Sequence, residues 1–253
     1  TVTNLAQAGI SVSDFGQIEV SDNVVSNTGI GFTGISVSRA ASGVIVDNDV
    51  SLANGIWAVS VTGLTIASNT VSDSIGSAIY VSSGANATIT GNSVEGAGEY
   101  GIYVEAFPSV VATGNSVNDT AFDGIHLEGT GAGSAATASG NTVSNVTDSG
   151  VYVNNFANVN ANGNSVASVD AAGVEIAGIG GGGVTANGNS IDGAAGQGIR
   201  ISGFATAEAN ANVINDTGTN GIELSGIGNG AATTNDNTLT TIGTLTVDNG
   251  IYI

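Results

Sequence analysis

The sequence predicts an all-β fold, a right-handed parallel β-helix (β-solenoid) of about ten to eleven rungs of ~24 residues. Residues 1–253 form a single domain in this reading, with partial rungs at both ends. Three observations predict it: a motif that returns about every 24 residues, period-2 alternation in each short apolar run, and a composition hostile to helix. "TGNSVEGAGEYGIYV" at 90–104 recurs as "TGNSVNDTAFDGIHL" at 113–127 and "SGNTVSNVTDSGVYV" at 139–153. Forty glycines, one proline and many Val, Ile and Thr disfavour helix, and no 3.6-residue periodicity is present.

The first element of each repeat is a turn carrying an Asn, at Asn23, Asn48, Asn69, Asn92, Asn115, Asn141, Asn164, Asn189, Asn212 and Asn237. Stacked amides at one turn can hydrogen-bond from rung to rung, and Asn tolerates the left-handed backbone expected at a corner. A short strand follows, with an aliphatic residue two positions after each Asn, from Val25 to Leu239. The second strand has the form Gly-[Ile/Val]-x-[Val/Ile/Leu], as in Gly101-Ile102-Tyr103-Val104. A third, alternating stretch such as "ANVNANGN" at 157–164 leads back to the next Asn. A strand that returns in the same phase each repeat stacks in parallel on its predecessor, about 4.8 Å away. Phe107, Phe156, Phe204, Ile179 and Ile227 lie fifteen residues after their Asn and are expected to plug a corner of the coil. "AGIGGGGV" at 177–184 lacks the Lys-Ser/Thr of a phosphate loop and reads as a corner between strands.

The recurring "GNSV" and "GIYV" elements resemble the right-handed parallel β-helix repeat superfamily, the pectin-lyase-like and NosD-type repeat proteins. The resemblance implies the coil. It leaves activity open, since that superfamily includes lyases, hydrolases, epimerases, tailspikes and adhesins.

Charge excludes some functions. Two arginines and no lysine stand against 21 acidic residues, a net charge of −19, so a nucleic-acid backbone cannot be neutralised. No apolar run reaches the ~18–20 residues of a membrane span. Asp73, Glu95, Glu99, Asp119, Asp123, Asp148, Asp170, Asp192 and Asp216 follow the Asn turn and are expected to form one acidic edge. No cofactor is expected, apart from weak calcium binding along that edge.

The variable position of the second strand reads Ser36, Trp57, Tyr80, Tyr103, His126, Tyr152, Glu175, Arg200, Glu223 and Tyr252, and alternation turns it outward. Trp57, Tyr80, Tyr103, His126 and Tyr152 form a candidate glycan-binding stripe, while a ladder that only stabilises the sheet is the plainer reading. Arg200 between Glu175 and Glu223 reads as an ion-pair ladder. His126 with Glu105 and Glu128 nearby could abstract a proton from a sugar, as in a polysaccharide lyase or epimerase.

The expectation drawn from the ladders is a non-enzymatic, extracellular or cell-surface rod, stalk or filament subunit with no catalytic or metal-binding residues. Its expected partners are further copies of itself, stacked head to tail through open ends from Thr1 to Ile253, and a polysaccharide second. A glycan-binding module and a lyase or epimerase centred on His126 are the alternatives.

Overall fold

The computed structural model describes residues 1–3, 7–28, 31–243 and 251–252, the side chains of 227–229 and 251–252 excepted. Gly250 and Ile253, and the side chains of Ile227 and Tyr252, therefore lie outside the described residues. The chain is an all-β parallel solenoid, and every strand pairing in it is parallel. One sheet stacks the strands that follow the Asn turns, for example Thr70–Ser74, Ser93–Ala97 and Ser116–Thr120. The other two strands of each rung belong to a second, larger sheet. In several rungs they run on as one long strand, as in Ile35–Val46, Ile56–Ala67 and Ile125–Ser139. The chain bends there at left-handed residues, Arg39 at φ 53° and Ser60 at φ 58°, rather than leaving the sheet at a turn.

The inward rows form the core. Val71, Val94 and Val117 stack in register, as do Ile79, Ile102 and Ile125, and all are buried. Each such side chain removed from water contributes about 1.5–3 kcal/mol. Glycine opens the second strand because the wall of the next rung comes too close for a side chain. A Cβ on Gly101 would stand 2.4 Å from Val117 Cγ1 and 2.5 Å from the Gly124 carbonyl oxygen.

The Asn row is a continuous hydrogen-bonded ladder from Asn23 to Asn237. Asn92 illustrates one step. Its Oδ1 accepts from the backbone N–H and the side-chain amide of Asn69, both at 3.0 Å. Its Nδ2 donates to Asn115 Oδ1 and to the Ile66 carbonyl, also at 3.0 Å. A buried amide is thereby satisfied on both sides. The left-handed backbone expected at these asparagines belongs instead to the residue before each one. Asp22, Asp47, Ser68, Gly91, Gly114, Gly140, Gly163, Gly188, Ala211 and Asp236 have φ between 54° and 65°. The left-handed step aims the following amide into the coil, so the Asn itself keeps an ordinary backbone.

The phenylalanines alternate with glycine along one corner. Phe107 pairs with Gly129, Phe156 pairs with Gly131 on one side and Gly178 on the other, and Phe204 pairs with Gly226. The three rings are buried, and a Cβ on Gly129 or Gly178 would meet the Phe156 or Phe204 ring at 2.7 Å. A ring on every second rung fills the space that two rungs leave. Ile179 departs from the expectation: it is 40% exposed, because Gly178 takes the position between Phe156 and Phe204.

Candidate functional site: an aromatic strip between carboxylates

The variable outward positions share one register. Strand pairing sets Ser36 beside Trp57, then Tyr80, Tyr103, His126, Tyr152, Glu175, Arg200 and Glu223 in turn. The five candidate glycan-binding residues are therefore brought together as one row. Ring centroids are 4.9 Å apart for Trp57–Tyr80, 5.5 Å for Tyr80–Tyr103, 5.0 Å for Tyr103–His126 and 4.7 Å for His126–Tyr152. Successive planes are inclined by 41° to 81°, so the row is not a closed parallel stack, and each ring stays partly exposed.

Two rings join the row from the corner before the second strand. Tyr100 lies 4.8 Å from Tyr103, 5.1 Å from Phe122 and 5.1 Å from His126. Neither Tyr100 nor Phe122 belongs to the Gly-[Ile/Val]-x pattern, and the signal for them is their place just before Gly101 and Gly124. The indole N–H of Trp57 is buried without an acceptor among the described residues, so packing rather than a hydrogen bond sets that ring.

Carboxylates stand on both sides of the strip. Glu105 and Glu128 are two positions beyond Tyr103 and His126 on the same strands, and hence on the same face. Glu105 accepts from the Tyr80 hydroxyl at 2.5 Å and from the Tyr103 hydroxyl at 2.9 Å. The Tyr80 bond, chiefly, holds its carboxyl below the usual carboxylate range. Burial, reinforced by bonding to Glu105, pushes the Tyr80 and Tyr103 hydroxyls above the usual phenol range.

Glu99, Asp123 and Asp148 lie on the other side, at the corner that also carries Tyr100 and Phe122. Asp123 is 5% exposed; its Oδ2 is 2.8 Å from His126 Nδ1, and its Oδ1 accepts the Ser149 backbone N–H at 2.9 Å. This orients the imidazole and leaves Nε2 as its other polar atom. His126 thus pairs with Asp123, whereas Glu105, which the sequence set beside it, is engaged by the two tyrosines. Asp148 is solvent-accessible, yet partial burial first, and the charge of Asp123 second, raise its carboxyl above the usual range.

The remaining acidic residues do not continue this bank. Glu95 and Asp192 face out from the first sheet and accept from Asn118 and Asn215. Asp73, Asp119 and Asp216 are left-handed residues lining concave corners on the other side of that strand. The single edge expected from the sequence is split because residues three, four and eight after the Asn point in different directions. Among the described residues no group of three or more His, Asp or Glu is arranged to hold a metal ion. At the far end of the row, Arg200 Nη1 is 2.9 Å from Glu175 and its Nε 3.8 Å from Glu223. Arg39, the other arginine, is paired with Asp14.

Residues 1–137 match a family model described as "Right handed beta helix region". The chain belongs to this right-handed β-helix family. No curated protein matches it. Among solved structures, the chain is similar to "Catalytic domain of GH87 alpha-1,3-glucanase in complex with nigerose", with a TM-score of 0.46 and 13% identity over 99% of this chain. It spans 62% of that structure's length, and at this identity the likeness concerns the coil. The expected non-enzymatic rod, stalk or filament subunit is corrected against this finding, which is of a catalytic domain. The physical reason lies in the strand itself. Ladders use only the inward positions, so a rigid coil leaves a whole outward face free for chemistry.

Proposed function

We propose that the chain acts on a polysaccharide, gripping it on the Trp57–Tyr152 strip and hydrolysing it between the two carboxylate banks. One observation carries this reading: partly exposed rings in contact over five rungs, flanked by carboxyl groups of opposite protonation tendency. Sugar faces are apolar and their rims are hydroxylated, which suits rings beside hydrogen-bonding carboxylates. Glycoside hydrolysis needs one carboxyl that holds a proton and one that stays ionised. Asp148, raised by burial and by Asp123, fits the general acid. Glu105, held ionised by two phenols, fits the carboxylate on the opposite side. Asp123 holds His126 in place and is a positioning residue. An extracellular or cell-surface setting, where such polymers lie, accords with this assignment.

The test is release of new reducing ends from a panel of soluble polysaccharides. Asp148→Asn and Glu105→Gln are each expected to lower the rate on the order of 10²–10⁴-fold. Asp216→Asn, a carboxylate on the opposite corner, should leave it unchanged. Equal rates in all three variants would overturn the assignment.

A further inference from the structure

We infer that the polymer held by this strip is uncharged, and that it lies lengthwise along the coil axis with an internal segment in contact. The inference rests on the glycan reading above and names its substrate class. The charge on the face carries the first half. Glu99, Glu105, Asp123, Glu128 and Glu175 surround the row, leaving Asp148 aside as the proposed proton donor, and the chain has no lysine. Arg200 stands between Glu175 and Glu223, and Arg39 is paired with Asp14, so each arginine already faces a carboxylate of the chain. A uronate or sulfated polymer would meet several like charges within about one Debye length (~8 Å) and find no compensating cation. A neutral glycan meets the same carboxylates as hydrogen-bond acceptors for its hydroxyls.

The second half follows from register. The rings follow one another one per rung with centres 4.7 to 5.5 Å apart, a spacing comparable to that of sugars in an extended chain. Among the described residues the row continues beyond its Trp57 end with the small side chains of Ser36 and Ser11. At the Tyr152 end it continues as the polar ladder of Glu175, Arg200 and Glu223. A polymer can run past both ends.

Affinity electrophoresis of the full chain tests this, in native gels containing a neutral polymer (barley β-glucan, galactomannan, arabinoxylan or dextran) or an acidic one (polygalacturonate or alginate). Retardation is expected in at least one neutral gel and in neither acidic gel. It should fall at least tenfold in Tyr103→Ala/Tyr152→Ala, with circular dichroism confirming that the variant is folded. Retardation by an acidic polymer would overturn the charge argument while leaving glycan binding intact. Failure in every gel would overturn this inference and the glycan reading together. Retardation that survives the double substitution would move the polymer off the strip. Neutral retardation without release of reducing ends would uphold the inference and remove only the catalytic half of the proposed function.

Discussion

The Asn ladder and the aromatic strip are built by the same mechanism and differ in what they tolerate. Both are rows of equivalent positions, one per rung, held in parallel register. The ladder repeats one residue type from Asn23 to Asn237, because each buried amide must match the amide above and below it. The strip passes from indole to phenol, imidazole, carboxylate and guanidinium without any change in register. Inside the coil, packing and hydrogen bonding dictate the residue. Outside, water accepts any side chain, so a run of one character there is informative about function.

Substitutions inside the coil are expected to have the largest effects. Asn115→Ala removes the acceptor of two Asn92 donors and a partner of Asn141, leaving buried polar groups unsatisfied at about 1–3 kcal/mol each. Chemical denaturation should show a loss of about 3–5 kcal/mol in total, with wild-type behaviour contradicting the ladder's role. Phe156→Ala opens a cavity between Gly129 and Gly178 and should cost about 3–5 kcal/mol. Gly129→Ala attacks the same spot from the other side. Its Cβ meets the Phe156 ring and the Asn155 carbonyl oxygen, and an overpacking cost of about 1–3 kcal/mol is expected.

On the strip the effects should be small for stability and large for binding. Tyr103→Ala loses ring contacts worth roughly 0.2–1 kcal/mol each and should leave the coil folded. The pH response separates the two faces further. The Glu105 carboxyl is depressed in the folded state, so its contribution is present above the unfolded carboxylate value and is lost as pH falls through the folded one. The Tyr80 and Tyr103 hydroxyls are raised, so their contribution is complete below the ordinary phenol range and fades as pH rises through the folded values. Ultraviolet titration should find both phenols ionising late, and Glu105→Gln should shift them back toward the ordinary range. An unchanged titration would show that Glu105 does not hold them.

The fold was legible because its determinants recur: Asn92, Val94, Gly101 and Ile102 have counterparts rung after rung. The left-handed row four residues after each Asn was not. It is occupied by Leu52, Asp73, Gly96, Asn145, Ser168 and Thr241 among others, residues that share no preference for φ between 50° and 76°. Stacking imposes that corner, and propensity does not announce it. For the site, the outward row was legible from alternation alone, from Trp57 to Tyr152. The bond between Asp123 and His126 was not, because the two lie on either side of the corner at Gly124 and only the turn brings them to 2.8 Å. Tyr100 and Phe122 were missed for the same reason.

Trp57 is the sole tryptophan and stands at the end of the strip against Tyr80, so its emission reports on that face alone. Sugar binding on the strip is tested by a fluorescence titration of the full chain with oligosaccharides cut from whichever neutral polymer retards it. A saturable change in Trp57 emission, absent in Tyr103→Ala/Tyr152→Ala, is the predicted result. Binding without any change in Trp57 emission would place the sugar elsewhere on the coil and rule out the strip as its site.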